Sequence, residues 1–216
     1  MNLSYSNDPF PHIKGSIDQD LYEDVIKEWD NITHKEYNVA TGNRSNIPLE
    51  NLELFSKISS IMMQCYEVFA NDFIVEYPKL ADKQFKLKPR ILYSENKASE
   101  LPYKIRGWHL DTGDKFLVGL WYFKHQDEEE NSGGDLLLMN PTTKKTTVIK
   151  YEANSFIIFP NLTSSWHAVT PRKPSKYPRR YINLLLESPD IRLHNYMRTG
   201  NTVDDEFRGK LENYYK

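Results

Sequence analysis

The sequence predicts a mainly β domain, a sandwich or jelly roll with flanking helices on its N-terminal side. Three observations carry that prediction. First, the apolar runs of the second half are short and numerous: Phe116 to Phe123, Leu136 to Met139, Thr146 to Ile149, Phe156 to Phe159 and Tyr181 to Leu186. Second, they are separated by turn chemistry rather than by helical patterns, at Ser132-Gly133-Gly134, Asn140-Pro141 and Pro160-Asn161, which argues against a parallel α/β sheet. Third, the spacing of apolar residues changes after about residue 80, from steps of three and four to steps of two.

In chain order, the first eighty residues read as helical. Asp20 through Trp29 puts Leu21, Val25 and Trp29 on one stripe, and Asp20 and Glu23 have capping-box spacing. Thr33 to Pro48 is polar and irregular. A second helix over Leu49 to Phe73 carries Leu54, Ile58, Ile61, Cys65 and Val68 on one face. Cys65, on that stripe, reads as a core thiol rather than a nucleophile. Phe85, Leu87, Ile91 and Tyr93 then alternate with Lys86, Lys88, Arg90 and Leu92 as a half-buried strand, with Pro89 pushing it toward a sheet edge. Beyond Pro189 the chain is charged and rich in tyrosine, with a final helix expected from Asp204 to Tyr215. The whole reads as one domain: helical support over 1–80, a β core over 84–188 and a C-terminal extension over 189–216.

A length of 216 residues suits a single domain with a real core, and a net charge of -2 gives no reason to expect a DNA or RNA groove or an anionic membrane as partner. The run Asp127-Glu128-Glu129-Glu130 beside Asn131-Ser132-Gly133-Gly134 reads as a solvated loop. A single cysteine rules out an internal disulfide framework and any Cys/His zinc pattern. The start of the chain has neither a basic n-region nor an apolar h-region, and no stretch approaches a membrane span, so a cytoplasmic location is expected.

The chemistry concentrates in four residues in order: His109, Asp111, His167 and Arg180. Two imidazoles and a carboxylate hold a ferrous ion on one face and leave the opposite positions open. Residues two apart on a strand point the same way, so His109 and Asp111 can share a metal. Taken singly, each has a bland alternative: a His–Asp pair in a surface turn, and a core histidine at Trp166-His167-Ala168. His12, His34, His125 and His194 lack an acid at ligand spacing. Arg180, at the mouth of the strand Tyr181 to Leu186, would need an anion if turned inward. Arg172, Lys176 and Arg179 compete for that role, and Arg180 is preferred because it directly precedes the strand.

The order of these elements resembles the iron(II)- and 2-oxoglutarate-dependent oxygenases, in the branch of the prolyl hydroxylases. The resemblance spans Phe85 to Glu187 and rests on His109-Leu110-Asp111, Gly133-Gly134-Asp135-Leu136, Trp166-His167-Ala168-Val169-Thr170-Pro171 and Arg180-Tyr181. The opening Asp8-Pro9-Phe10-Pro11-His12 is also similar to the start of such domains. The resemblance implies a double-stranded β-helix (jelly roll) core, iron on His109, Asp111 and His167, and the distal carboxylate of 2-oxoglutarate on Arg180. Tyr93 and Trp121 would line the same pocket. The implied cofactors are Fe(II), 2-oxoglutarate and O2, with ascorbate as an auxiliary reductant. The implied reaction hydroxylates an unactivated C–H bond and releases succinate and CO2. Asp111, where a small residue would open a halide position, favours hydroxylation over halogenation. A peptidyl-proline or a free amino acid is the expected substrate. The alternatives are a cupin-like metal-binding jelly roll without 2-oxoglutarate chemistry, or the same chemistry on a sugar, lipid or nucleotide. Thr33 to Pro48 and Ser94 to Arg106 flank the motifs as rim segments, and their Arg44, Asn46, Lys97 and Tyr103 would suit a polar or acidic substrate.

Overall fold

A computed structural model describes residues 1–32, 35–38, 44–81 and 83–193. Eleven strands lie among them: β1 (Asn2–Ser6), β2 (His12–Ser16), β3 (Arg44–Pro48), β4 (Lys88–Asn96), β5 (Arg106–His109), β6 (Lys115–Tyr122), β7 (Leu136–Met139), β8 (Thr146–Ile149), β9 (Ser155–Pro160), β10 (Trp166–Val169) and β11 (Arg179–Glu187). The helices are α1 (Gln19–Asp30), α2 (Leu52–Val68) and α3 (Ala70–Glu76), with a 3-10 turn at Pro78–Leu80. A seven-stranded sheet has the order β1-β2-β9-β6-β11-β4-β3, and a four-stranded sheet has the order β5-β10-β7-β8. Every pairing of named strands is antiparallel.

Alternation along the strands of the large sheet builds two separate cores. One face carries Tyr93, Leu117, Trp121, Ile182, Leu184 and Leu186, which bury against Val25 and Trp29 of α1 and Leu54, Ile58 and Met62 of α2. The other face carries Val118, Tyr122, Tyr181 and Leu185, which meet Leu136, Leu138 and Ile149 of the small sheet. The helices thus cover one side of the large sheet, and the space between the two sheets is left for a site. This is the architecture of a jelly roll.

Several sequence expectations need correction. The first eighty residues are not wholly helical: β1, β2 and β3 lie among them and join the same large sheet as the core strands. These strands are short and polar, so apolar alternation could not announce them. Asp18 caps α1, its side chain accepting from the backbone N–H of Asp20, in place of the Asp20–Glu23 box. The expected long helix starts after an Asn51 cap and breaks at Phe69 into α2 and α3. Cys65 is buried in the core, and burial pushes its thiol up to about 12. Pro89 lies where β4 has β11 on one side and no partner from β3, whose pairing stops at Leu92, so the missing N–H breaks no ladder.

The acidic run is not simply a solvated loop. Glu128 is buried and ion-paired to the equally buried Arg172, whose guanidinium also donates to Ser132 Oγ and the Gly133 carbonyl. Arg172 therefore ties the 127–134 loop to the 172–177 segment. Among the described residues no helix is long and apolar enough to cross a membrane. The expected helix Asp204 to Tyr215 and His34 and His194 lie outside the described residues.

Candidate active site

The pairing of β5 with β10 sets His109 directly opposite His167, and their ring centroids are 4.1 Å apart. Asp111 follows β5 by two residues. One ligand atom from each of His109, Asp111 and His167 lies within 4.8 Å of the others. Each histidine is held the same way: His109 Nδ1 is 2.9 Å from the Gly107 carbonyl and His167 Nδ1 is 3.1 Å from the Ser165 carbonyl, both two residues back. With the proton on Nδ1 donated to that carbonyl, Nε2 keeps the free lone pair a metal needs. Lys115 Nζ donates to Asp111 Oδ1 at 2.8 Å, while Asp111 Oδ2 lies 3.6 Å from His167 Nε2. One carboxylate oxygen is thereby anchored and the other turned to the imidazoles.

The electrostatics suit metal binding. Burial, with the neighbouring His167 and Arg106, holds His109 well below the usual histidine range, and burial likewise lowers His167. Burial alone would raise Asp111, but the facing His167 imidazole and Lys115 outweigh it and hold the carboxyl below its usual range. Near neutral pH the trio is two neutral imidazoles and one carboxylate, the protonation state in which these groups ligate.

The trio opens into a cavity of about 360 Å³ between the sheets. Arg179, at the start of β11, lines it from the large sheet. Its Nε donates to the Gly134 carbonyl at 2.8 Å, Nη1 to Asn96 Oδ1 at 3.3 Å and Nη2 to the Tyr122 hydroxyl at 3.1 Å. The guanidinium lies 4.5 Å from the Tyr181 ring centroid, with Tyr122 and Tyr151 also against it. It is 1% exposed, and among the described residues no carboxylate lies within ion-pair distance. A buried guanidinium held only by neutral groups is a receptor for an anion.

Arg180 does not reach the cavity. Its Nε donates to Glu95 Oε2 at 3.0 Å and its Nη1 to Asp30 Oδ1 at 3.1 Å, with the guanidinium over Trp29. The strand begins at Arg179, two residues before the expected Tyr181, and adjacent residues of a strand face opposite sides. Arg179 takes the cavity side and Arg180 the helix side.

Tyr93 and Trp121 are also on the helix side. Both oppose Ile182 of β11, Tyr93 from β4 and Trp121 from β6, so the three form one row across the sheet. Tyr93 packs edge-on to Trp29, and Trp121 donates to Asn154 Oδ1 at 2.9 Å beside Tyr22 and Phe123. The next row, Ser94–Tyr181–Tyr122, faces the cavity side instead. Asn96, Tyr122, Tyr181, Lys115 and Arg106 were missed from the sequence as site residues; Arg44 and Tyr103 were noted only as rim residues, and Arg44 does line the cavity.

Residues 103–186 match the family model described as the 2OG-Fe(II) oxygenase superfamily. No curated protein matches the chain significantly. Among solved structures, the chain is similar to a Pseudomonas putida prolyl-4-hydroxylase at a TM-score of 0.57 and 10% identity, covering 82% of this chain and 91% of that one. It is also similar to a Trichoplax adhaerens prolyl hydroxylase solved with a hypoxia inducible factor oxygen degradation domain peptide fragment, at 0.56 and 13%, covering 82% and 83%. A Phytophthora capsici prolyl 4-hydroxylase gives 0.56 and 12%, covering 94% and 68%. At these identities the structures show a shared fold. The matched segment contains His109, Asp111, His167 and Arg179, so the part of the chain that carries the site is similar to the 2OG-Fe(II) oxygenase superfamily.

Proposed function

We propose that this protein is an Fe(II)- and 2-oxoglutarate-dependent oxygenase that hydroxylates an unactivated C–H bond, with His109, Asp111 and His167 as the iron ligands and Arg179 as the co-substrate's anchor. One observation carries the reading: the convergent trio shares its cavity with a fully buried arginine that has no acid partner among the described residues. The donor set fits the metal, since two imidazoles and one carboxylate are the ligand type of iron sites that keep open positions. A metal-binding jelly roll without 2-oxoglutarate would have no use for the buried charge of Arg179.

When bound, iron with 2-oxoglutarate and O2 supplies the oxidising chemistry, consuming the keto acid to succinate and CO2 as the substrate is hydroxylated. The chain's own residues do the positioning. The Gly107 and Ser165 carbonyls fix the two imidazoles, and Lys115 fixes the Asp111 carboxylate. The Arg179 fork holds the far carboxylate of the co-substrate, itself aimed by Gly134, Asn96 and Tyr122. Val118, Leu120, Phe159 and Leu185 form the apolar part of the cavity wall. A peptidyl-proline or a free amino acid is the substrate this reading favours, and the fold shared with prolyl 4-hydroxylases supports the first.

Iron titration and succinate formation test the assignment. His167→Ala should lose iron binding and 2-oxoglutarate turnover together while keeping the fold by circular dichroism. Normal iron uptake and turnover in that variant would remove the trio as the metal site.

A further inference from the structure

Beyond the trio and Arg179, the cavity carries two further arginines, Arg44 on β3 and Arg106 on β5. Among the described residues neither has a carboxylate within ion-pair distance. Arg44 is half-buried; its Nη1 lies 3.5 Å from the Tyr181 hydroxyl, and its Nε is buried with no hydrogen-bond partner among the described residues. Arg106 is exposed, on the edge strand of the small sheet. Tyr181 joins the inner and outer cations, with its ring against Arg179 and its hydroxyl toward Arg44. From Arg179 through Arg44 to Arg106, positive charge runs from the buried floor to the exposed rim.

The charge balance of the lining decides what this means. Among the described residues, Arg44, Arg106, Lys115 and Arg179 face a single lining carboxylate, Asp111, which Lys115 already holds. A divalent ion and a dicarboxylate co-substrate cancel one another, so loading the site leaves this excess in place. A prolyl side chain inside a peptide is uncharged and gives neither arginine a partner. A free carboxylate does, because a planar guanidinium matches it with two parallel hydrogen bonds. The size of the cavity, about 360 Å³, suits a small molecule beside the co-substrate rather than a large one.

We propose that the hydroxylated substrate is a small molecule with a free carboxylate, such as a free amino acid, which Arg44 and Arg106 hold on the outer side of the cavity. The inference rests on the oxygenase reading above and narrows its substrate.

The test uses the full-length protein loaded with Mn(II) and saturating 2-oxoglutarate under anaerobic conditions. The probes are the common free L-amino acids and C4 to C6 monocarboxylic acids, each beside its methyl ester. Serine with O-phosphoserine and a short neutral prolyl peptide complete the set. Paramagnetic relaxation of probe protons by Mn(II) reports binding near the metal without turnover. At least one free acid should bind, its ester at least tenfold more weakly. Arg44→Gln and Arg106→Gln should each weaken that acid at least tenfold while changing 2-oxoglutarate affinity less than twofold, which also shows that they fold. Equal binding of acid and ester, unchanged binding in both variants, or binding only of the peptide or the phosphate ester would overturn the proposal, as would no binding of any acid. If the wild-type protein takes up neither Mn(II) nor 2-oxoglutarate, the oxygenase reading itself fails. If it takes up both and shows no preference for free acids, only this inference fails.

Discussion

Arg179 and Arg180 are neighbours with opposite tasks because β11 sends one side chain to each face of the large sheet. Arg180 braces the helix side through Glu95 and Asp30, while Arg179 waits in the cavity among tyrosines and a glycine carbonyl. Arg179→Ala should therefore weaken 2-oxoglutarate about 30-fold or more, on the order of 2 kcal/mol, because truncating one member of a buried charge pair leaves the other unanswered. Arg180→Ala should leave that affinity within about twofold and lower stability by about 1 kcal/mol, since its partly exposed pairs are solvent-screened and Glu95 keeps Lys35. Calorimetric titration of 2-oxoglutarate into both variants decides between them; the reverse pattern would restore Arg180. The sequence did hold a clue to the register. In Arg179-Arg180-Tyr181-Ile182-Asn183-Leu184-Leu185-Leu186 both parities look apolar, but only the odd one includes Asn183. A polar residue in a buried run marks the face that meets a wet cavity, and Arg179 shares its parity. The iron-ligand candidates were easier to find, because identity and order point to them without any choice of face. Tyr93 and Trp121 failed for the same reason as Arg180: chain position shows that a strand is there and not which side of it is covered by helices.

At the scale of elements, what was legible depended on how much apolar contrast each carried. The positions of β6 to β9 and of β11 were close to those expected, since each is a buried run between turn residues. The strands β1 to β3 were invisible because edge and near-edge positions leave them polar. Two positions in these connecting regions make sharp predictions. Gly134, entering β7, has φ of +84, and a Cβ there would lie 2.7 Å from Arg179 Cδ. Gly134→Ala should displace the Arg179 side chain, so co-substrate affinity should fall at least tenfold, alongside a stability cost of roughly 1–2 kcal/mol for the left-handed backbone. Unchanged affinity would show that Arg179 is not seated by this turn. In β2, His12 is fully buried, with Nδ1 2.8 Å from the Phe10 carbonyl and Nε2 without a hydrogen-bond partner. Burial, reinforced by Lys14 and opposed by the Phe10 carbonyl and Asp8, lowers its pKa. The unfolded chain then binds the proton more readily than the folded one, so the contribution is present above the ordinary value of about 6.5 and is lost as pH falls below it. His12→Asn keeps a donor near the Nδ1 position and removes the titration, so its stability should fall less between pH 7.5 and 5 than the wild type's. Urea midpoints at the two pH values measure this, and an identical pH response of the two proteins would mean that His12 titrates alike in the folded and unfolded chain.

For the whole molecule, the site is divided between the two sheets. His109 and His167 belong to the small sheet through β5 and β10, Asp111 lies on the connection leading into β6, and Arg179 belongs to the large sheet. A bound metal would tie β5 and β10 to the start of β6, and a co-substrate reaching from the metal to Arg179 would bridge the layers. Ligands that bind only the folded state stabilise it by mass action, by about 2.7 kcal/mol at a hundredfold excess over Kd. For a domain of this size that corresponds to a rise in Tm of roughly 5–10 °C. Mn(II) alone should therefore raise the Tm of the wild type, and 2-oxoglutarate should add a further rise only when the metal is present. His167→Ala should lose both increments. Arg179→Ala should keep the first and lose most of the second, because the proposed metal ligands are untouched while the proposed anchor on the opposite sheet is gone. Thermal scans of the three proteins with metal, with co-substrate and with both give the comparison. An additive rise from 2-oxoglutarate without metal would place the keto acid elsewhere, and a second increment surviving in Arg179→Ala would break the proposed bridge between the sheets.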